Sequence, residues 1–538
     1  MPTCADVLAA TLRDAGVLRM FGLPGGEMLD FLEAARKTGI DFILTRHEAV
    51  AALMADAAGQ LTRRPGVCVS TLGPGAMNLT LGVANAFLDR SPMIAITAAH
   101  ATAAAPLATH QNLDLNAVFR PFTKQSITLT AENTAATVRR AWRTAVEPRS
   151  GPVHLVLPSD VARREDHQTE DPAAIDLTPS PLPPPSPNAV RRLAAEIKTA
   201  RRPIVILGLD LDPATTPDPV MRFVERLGVP VFVTPKAKGI LPEDHPQYFG
   251  VCGGLAADRV VLEFFAKADL LIGVGFDPVE SDKLWYHTMK MVAIGPLSIA
   301  SGDYRPPLEL TGDVVRSLTM LTEVDFGPFE WSGDQCAAFL AEVDRTLRPA
   351  TRPANGLSPF EVTRCLRDLF PPETIVTTDV GSIKLVVSQA WRATKPLTFL
   401  ESNGLSAMGY SLPAAMAAKL ERPDRPVLCT VGDGGFSMVF GDIETCVRHG
   451  IHVVTVVYND SALSLIQVAQ ERRGYADWGV RYGHVNFAAA SAALGAWSRR
   501  VNTMEELQEA VKSARQYDGP SVVEVLIDPA EYVAHARG

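Results

Sequence analysis

The sequence predicts an α/β protein made of three doubly wound parallel-sheet domains. Short apolar runs rich in Val and Ile alternate with helical, often Ala-rich, stretches along the chain. This alternation is typical of parallel sheets that helices cover on both faces. The chain has 538 residues, more than one hydrophobic core accommodates. In this class of fold, ligands bind at the carboxyl ends of the strands.

Two proline-rich segments are predicted to be linkers. Residues 166–188 contain TPSPLPPPSPN, and residues 328–356 contain RTLRPATRPANG. Proline fixes φ and removes a backbone donor, so this density favours an extended spacer. We therefore predict an N-terminal domain over residues 1–165, a central domain over 188–326 and a C-terminal domain over 357–538.

Each predicted domain has its own β-type runs. They are FILTR, GVCVST, MIAITAA and VHLVLP in the first domain, PIVILGL, VPVFVT and LLIGVG in the second, and TIVTTDVG, PVLCTVGDGG, HVVTVVYND and SVVEVLI in the third.

Composition argues against several partners and settings. A formal net charge of −9 leaves no basic footprint, so we expect neither nucleic acid nor an anionic membrane surface as a partner. No window offers the roughly 20 strongly apolar residues of a membrane span, and Arg13 and Asp14 interrupt the region where a secretory signal would be apolar. The seven scattered cysteines lack C-x-x-C spacing, which predicts reduced thiols in a cytoplasmic protein and no structural zinc.

A glycine-rich run follows one predicted strand of the C-terminal domain. Residues 432–435 (GDGG) come directly after PVLCTV, and the next strand ends in Asn459-Asp460. Glycines at a strand end let the backbone approach a diphosphate, and one carboxylate with one amide oxygen suits Mg²⁺. A plain tight turn is the alternative, but the 24 residues between Gly434 and Asn459 favour a metal and diphosphate site.

This pattern resembles the metal and diphosphate motif of thiamin-diphosphate enzymes. Their motif ends in two asparagines, whereas this chain has Asp460 in the second place. The resemblance implies that Mg²⁺ is bound by Asp433, Asn459 and the backbone carbonyl of Ser461. Upstream, DVGSI resembles the family's first diphosphate-contacting loop, with Ile383 where members often carry His. Together these motifs imply cofactor contacts at Gly381, Ser382, Gly432, Asp433, Gly434, Gly435, Asn459, Ser461 and Leu463.

A glutamate begins an Ala-rich helical stretch of the first domain. Glu48, in Arg46-His47-Glu48, follows the strand FILT, and by position alone such a residue is a cap or a partner of the helix dipole. In the thiamin-diphosphate family, one Glu at this place lies near the aminopyrimidine N1′ and drives the imino tautomer that takes the proton from thiazolium C2. The sequence LGPGAMN, with Pro74 and Asn78, matches the cofactor-contacting loop that follows in the family, although GPG alone is also a common turn.

A third motif, SNGLSAMG (402–409), adds to the resemblance. A methionine here would by default be core filler. In the family, a large apolar side chain at this place supports the bent conformation of the cofactor, which assigns this role to Met408. The same resemblance makes the carbonyl of Ser406 the partner of the 4′-amino group.

Several stretches resemble the acetolactate synthase group within this family. They are PGGE (24–27), RHE, LGPGAMN, THQNLD, GPVHLVLPSD and SNGLSAMG. Residues 109–124 and 275–285 point to the catabolic, flavin-independent branch, so FAD is not expected. The resemblance implies that Gln111 faces substrate and cofactor, and that Lys124 attracts a carboxylate; a solvated surface lysine is an equally good interpretation of Lys124.

The resemblance implies a carboligase that decarboxylates a 2-keto acid, pyruvate, and joins it to a second keto acid. The protein supplies placement and electrostatics around the cofactor's chemistry. Candidates for a nearby acid are Glu27, His47 and His110. Because Glu48 and the metal motif lie in different domains and the family builds its sites between subunits, we expect a homodimer or homotetramer with active sites at the subunit interface.

Three other interpretations remain open. A 2-keto acid decarboxylase, a 2-hydroxyacyl lyase or a specialised carboligase of secondary metabolism would keep the cofactor; Ala469 stands where biosynthetic relatives carry Trp, and Arg90 also occurs in carboxyethylarginine synthase. A nucleotide-binding oxidoreductase lacks support, since no strand is followed by G-x-G-x-x-G with an acidic partner. A non-catalytic relative is disfavoured by the joint presence of Glu48, Asp433 and Asn459.

Overall fold

The structure is a computed structural model that describes residues 1–281, 283, 285–302, 304–348, 353 and 355–536. Within these residues it has three six-stranded sheets whose neighbouring strands all run parallel. The predicted α/β class with three doubly wound domains is therefore confirmed.

The first sheet has the strand order β2-β1-β3-β4-β6-β5. Its strands are β1 (Arg19–Leu23), β2 (Asp41–Leu44), β3 (Gly66–Ser70), β4 (Met93–Ala99), β5 (Gln125–Thr128) and β6 (Pro152–Pro158). The helices of this part of the chain are α1 (Cys4–Asp14), α2 (Leu29–Lys37), α3 (Glu48–Thr62), α4 (Pro74–Leu88), α5 (Leu115–Phe119), α6 (Thr134–Val146) and α7 (Ser159–Arg163).

The second sheet has the order β12-β11-β10-β7-β8-β9. Its strands are β7 (Pro203–Leu207), β8 (Val231–Val233), β9 (Tyr248–Val251), β10 (Leu270–Val274), β11 (Met291–Gly295) and β12 (Leu308–Thr311). The accompanying helices are α8 (Pro187–Thr199), α9 (Pro217–Leu227), α10 (Asp258–Phe265), α11 (Trp285–Thr288), α12 (Val314–Thr322) and α13 (Gly333–Leu347).

The third sheet, β14-β13-β15-β16-β18-β17, repeats the topology of the first. Its strands are β13 (Ile375–Thr378), β14 (Phe399–Glu401), β15 (Val427–Gly432), β16 (Val454–Asn459), β17 (Trp497–Val501) and β18 (Ser521–Leu526). The helices are α14 (Pro359–Leu369), α15 (Ser382–Ala390), α16 (Ser411–Glu421), α17 (Asp433–Val439), α18 (Ile443–His449), α19 (Ser464–Arg472), α20 (Phe487–Ala493), α21 (Met504–Gln516) and α22 (Tyr532–His535).

Central strands were easier to predict than edge strands. Strands β3 and β6 are buried at every residue, as expected for sheets that helices cover on both faces, and both correspond to predicted runs. The edge strands β5 (QSIT) and β17 (WSRRV) are half-exposed and polar, so they lack the apolar run on which the prediction relied.

The second predicted linker is wrong for residues 333–347. They form helix α13, whose N-terminus has a capping box between Ser332 and Gln335; residues 349–352 and 354 of the same segment lie outside the described residues. Between Arg164 and Ser186 a short 3₁₀ turn is the sole helical element among the described residues, and residues 187–188 of the first predicted linker already belong to α8; its role as a linker stays a prediction.

Chain contacts divide the molecule into two compact units. One comprises residues 1–180, 405–424 and 439–452, and the other comprises 181–404, 425–438 and 453–538. Parts of the predicted C-terminal domain thus pack with the first sheet, and the predicted domain boundaries stay a prediction. None of the seven cysteines, all of which are described, forms a disulfide. No helix of the described chain is long and apolar enough to cross a membrane.

Candidate functional site

The first unit holds Glu48 as a buried carboxylate at the start of α3. Its residue is 5% exposed, and the side-chain amide of Asn78 donates to its Oε2 at 2.9 Å. The helix is capped by the preceding residue, because Nδ1 of His47 accepts from the backbone N–H of Ala49 at 3.1 Å. Glu48 is therefore not the cap that its position alone suggested; its carboxylate is held by a side chain from α4.

Glycines make room for this carboxylate. A Cβ on Gly75 would lie 3.0 Å from Glu48 Oε1, so the start of α4 passes close to it. Gly73 has φ 59° and ψ −117°, and Pro74 is exposed at the first position of α4. Gln111, itself in the left-handed region at φ 54°, packs on Gly73, where an added Cβ would meet the Gln111 Cβ at 2.8 Å.

Two contacts that the sequence analysis missed support this region. The carboxylate of Asp442, buried to 1% exposure, accepts from the backbone N–H of Arg46 at 2.9 Å. The Thr71 hydroxyl donates to Glu27 Oε2 at 2.8 Å. Asp442 fixes the turn that leads into α3, and Glu27 lies at the carboxyl end of β3. No local motif marks Asp442, which is 396 residues from its partner.

The remaining predicted site residues of this unit are Lys124, Ser406 and Met408. Lys124 is not a solvated lysine: its Nζ donates to the Glu147 carbonyl at 2.7 Å, and burial lowers its pKa to about 8. Ser406 is exposed, with φ 56°, and Met408 is half-buried, both in the loop before α16. Their predicted contacts stay predictions.

The second unit brings the predicted metal ligands together. Asp433 and Asn459 are each 4% exposed. The backbone N–H of Ser461 donates to Asp433 Oδ2 at 2.6 Å and to Asn459 Oδ1 at 3.1 Å, so these two oxygens face the same point. The Ser461 carbonyl accepts from Tyr482 N at 2.9 Å. Since a carbonyl oxygen has two lone pairs, one remains for a metal ion.

A buried glutamate orients the Asn459 amide. Glu524 is fully buried; its Oε1 accepts from Asn459 Nδ2 at 2.7 Å and its Oε2 from Ala488 N at 2.9 Å. Glu524 pairs with Val457 across the parallel strands β18 and β16, so it lies on the same face as Asn459, two residues further on. Because a carboxylate can only accept, it turns the amide so that Oδ1 points towards Asp433.

The glycine-rich run is the start of a helix. Asp433 begins α17 directly at the end of β15, and its Oδ1 accepts from Gly434 N at 2.7 Å. A Cβ on Gly435 would lie 2.3 Å from Asp379 Oδ2, so glycine is required for the close approach of the β13 and β15 ends. Gly432 has only Ile383 Cγ2 near its Cβ position, at 3.8 Å. The run is thus the first turn of a helix and not a separate tight turn, and its metal and diphosphate contacts stay predictions.

The neighbouring strand end carries an unsatisfied donor. Gly381 has φ 128° and open space beside it, and Ser382 begins α15. The Ser382 hydroxyl is buried and has no hydrogen-bond partner in the structure as described. A buried orphan hydroxyl is costly, and a diphosphate oxygen would satisfy it. Leu463, by contrast, already donates its N–H to the Val480 carbonyl at 2.8 Å.

Lys384 connects two of the predicted cofactor loops. This buried residue of α15 donates from Nζ to the Ser402 carbonyl at 2.8 Å and to Asn403 Oδ1 at 2.9 Å. It therefore ties the helix that begins at Ser382 to the segment that leads towards Met408. A lysine as the one charged residue of the helix SIKLVVSQA was a signal that the sequence analysis did not use.

Electrostatics at Asp433 suit a cation. Burial, followed by the nearby charge of Asp460, raises the pKa of Asp433 to about 7, and burial also raises the pKa of Asp460. A divalent ion would stabilise the ionised forms of these two neighbouring carboxyl groups, Asp433 buried and Asp460 half-buried. Among the described residues no group of three His, Cys, Asp or Glu could hold a metal; the predicted set contains one carboxylate, one amide and one carbonyl, which fits Mg²⁺.

Three models of one enzyme family match along the chain in the order of its sheets. The N-terminal TPP binding domain of thiamine pyrophosphate enzymes matches residues 2–118, their central domain matches 190–321, and their C-terminal TPP binding domain matches 379–525. A protein of Methanocaldococcus jannaschii, named "Probable acetolactate synthase large subunit", is 30% identical over 98% of this chain and 92% of its own length. The chain belongs to the thiamine pyrophosphate enzymes.

Other members of the thiamine pyrophosphate enzymes are similar over nearly their whole length. An acetolactate synthase of Bacillus subtilis is 29% identical over 98% of this chain and 94% of its own length. A catabolic acetolactate synthase of Raoultella terrigena is 29% identical over 97% of this chain and 95% of its own length. The predicted resemblance to the acetolactate synthase group is confirmed, and thiamin diphosphate (thiamine pyrophosphate) is the cofactor of this enzyme.

Proposed function

We propose that this enzyme is an acetolactate synthase-like carboligase that uses thiamin diphosphate and Mg²⁺ to decarboxylate pyruvate and join it to a second 2-keto acid. The observation that carries the proposal is the buried Glu48 carboxylate bound by Asn78 at 2.9 Å, in a chain whose full-length relatives include acetolactate synthases. Seven cysteines without a disulfide support a cytoplasmic setting.

Glu48 is the proposed proton-transfer residue. When bound, thiamin diphosphate supplies a nucleophilic carbon and the electron sink for decarboxylation. The Glu48 carboxyl, shielded from water, holds and returns a proton at N1′ of the aminopyrimidine. Asn78 keeps the carboxylate in one rotamer, and Gly75 keeps the space beside it free. Gln111, Lys124, Ser406 and Met408 are proposed to contact substrate or cofactor.

The diphosphate and metal are assigned to the second unit. Asp433, the Asn459 Oδ1 and the free lone pair of the Ser461 carbonyl would bind Mg²⁺. The orphan Ser382 hydroxyl and the backbone N–H of Gly435 would bind diphosphate oxygens, while Gly434, whose N–H already donates to Asp433 Oδ1, would let the backbone pass close to them. Copies of the chain are proposed to form a homodimer or a homotetramer, in which Glu48 of one copy serves the metal-bound cofactor of another. FAD is not part of the proposal.

The test is incubation of the purified protein with thiamin diphosphate, Mg²⁺ and pyruvate, without flavin. We expect pyruvate loss with acetolactate formation that depends on the cofactor. Acetaldehyde as the product would favour a decarboxylase instead. If pyruvate is not consumed although the cofactor binds, pyruvate is the wrong donor, and other 2-keto acids would be assayed next.

Glu524→Leu is expected to weaken Mg²⁺ binding about tenfold or more, as is typical when a partner that orients a metal ligand is lost. Without the carboxylate, the Asn459 amide loses its shortest orienting hydrogen bond, at 2.7 Å, and its Nδ2 keeps the longer one to the Val485 carbonyl at 3.3 Å. The measurement is a Mg²⁺ titration of cofactor binding by tryptophan fluorescence. Glu505→Leu, an exposed position in the first turn of α21, is the control and should titrate as wild type; an equal loss in both variants would contradict the orienting role.

Gly435→Ala is expected to weaken thiamin diphosphate binding at least tenfold. The new Cβ would lie 2.3 Å from Asp379 Oδ2, so the ends of β13 and β15, with the diphosphate contacts between them, must separate. Isothermal titration with the cofactor measures the loss. Gly483→Ala is the control, because nothing lies within 4 Å of its Cβ position. Unchanged cofactor affinity in Gly435→Ala would show that the close approach of residue 435 to Asp379 is not needed for binding.

A further inference from the structure

A pocket lies in the first unit at the opposite end of the sheet from Glu48. It has a volume of about 350 Å³, which is within the size range of small-molecule sites. It lies where β1 and β3 begin and where α3 ends. Since α3 rises about 1.5 Å per residue and Glu48 is its first residue, the pocket is roughly 20 Å from that carboxylate. It is therefore separate from the proposed active site.

The polar wall of this pocket is rich in guanidinium groups. Arg19, Arg64 and Arg422 line it together with a single carboxylate, Glu421, so positive charge is in excess. Arg422 is engaged, donating to the backbone carbonyls of Leu61 at 2.7 Å and Glu421 at 3.0 Å. Arg19 and Glu421 pair with each other at 3.5 Å. The one carboxylate is thus balanced by one arginine, and the others leave a net positive field.

Arg64 is the guanidinium that remains available for a ligand. Across the described part of the chain its side chain has no hydrogen-bond or ion-pair partner. Its Nη1 lies 3.0 Å from the Cβ position of Gly16, whose φ is +97°, so a residue with a side chain at that position would push Arg64 away. The absence of a side chain at residue 16 lets the guanidinium lie against the backbone at the pocket.

The other wall of the pocket is apolar. It is formed by Val17, Leu18, Phe21, Pro65 and Trp142. A planar guanidinium fork binds a carboxylate through two parallel hydrogen bonds, and apolar walls favour a ligand with a hydrocarbon body. We propose that this pocket binds a small organic carboxylate, with its carboxylate on Arg64 and its apolar body against the Phe21 and Trp142 side.

The experiment is isothermal titration of the full-length protein, with thiamin diphosphate and Mg²⁺ present, against sodium benzoate at constant ionic strength. We expect saturable binding that weakens at least tenfold in Arg64→Met and is unchanged in Arg63→Met, which removes the same charge one residue outside the pocket. Benzyl alcohol, which lacks the charge, is expected not to bind. In Gly16→Ala, the displaced Arg64 should reproduce the loss seen in Arg64→Met.

Three outcomes would overturn the proposal. The first is the absence of saturable benzoate binding. The second is equal binding by wild type and Arg64→Met, which would place benzoate elsewhere, including at the substrate site. The third is equal affinity for inorganic phosphate, since an anion without an apolar body would then suffice. None of these outcomes depends on whether the enzyme forms acetolactate, so the pocket and the proposed reaction are tested separately.

Discussion

Glu48→Gln should lower the rate of 2-keto acid consumption at least a hundredfold, the range typical of a lost general acid–base group, while thiamin diphosphate still binds. A glutamine keeps an oxygen that accepts from Asn78 Nδ2, now 2.9 Å from the carboxylate, and nearly the same volume beside Gly75. What it loses is the ability to take up and return a proton. The measurement is pyruvate consumption at saturating cofactor, with cofactor affinity determined in parallel by titration calorimetry.

Glu33→Gln is the matched control for Glu48→Gln. Glu33 is an α2 residue of the same unit whose side chain is 47% exposed and paired with Arg36 at 2.8 Å, so the change removes a carboxylate without touching the buried one. We expect wild-type activity in this control. Full activity in Glu48→Gln would remove the proposed proton transfer, and a loss of cofactor affinity that matches the loss of rate would make Glu48 a binding residue.

The sequence predicted those parts of the fold and site that depend on local patterns. The β15 and β16 strands are apolar runs, and the motifs at their carboxyl ends meet because parallel strands align these ends at one edge. Spacing therefore predicted that Asp433 and Asn459 lie together, and the two side chains share a hydrogen-bond donor, Ser461 N; metal binding by them stays a prediction.

The supporting residues could not be found in this way. Asp442 accepts from a backbone N–H 396 positions away, and no periodicity carries that information. Glu524 had a usable signal, because a carboxylate inside the apolar strand SVVEVL must be paired if it is buried; only the fold identifies Asn459 as the partner. The burial of Lys124 against Glu147 likewise depends on how β5 and α6 meet.

Asp433→Asn should abolish Mg²⁺-dependent cofactor binding at micromolar metal and raise the Mg²⁺ concentration needed for half-saturation at least tenfold. The amide keeps one acceptor for Gly434 N or Ser461 N but removes the anionic ligand that a hard divalent ion prefers.

Asp460→Asn is the matched variant. It removes the neighbouring charge that helps to raise the pKa of Asp433, and it introduces the asparagine that the family motif has at this position. We expect Asp460→Asn to retain Mg²⁺ binding within a few-fold of wild type. Equal losses of Mg²⁺ binding in both variants would mean that local negative charge, rather than direct coordination by Asp433, attracts the metal. If Asp433→Asn needs the same Mg²⁺ concentration for half-saturation as the wild type, Asp433 is not a metal ligand.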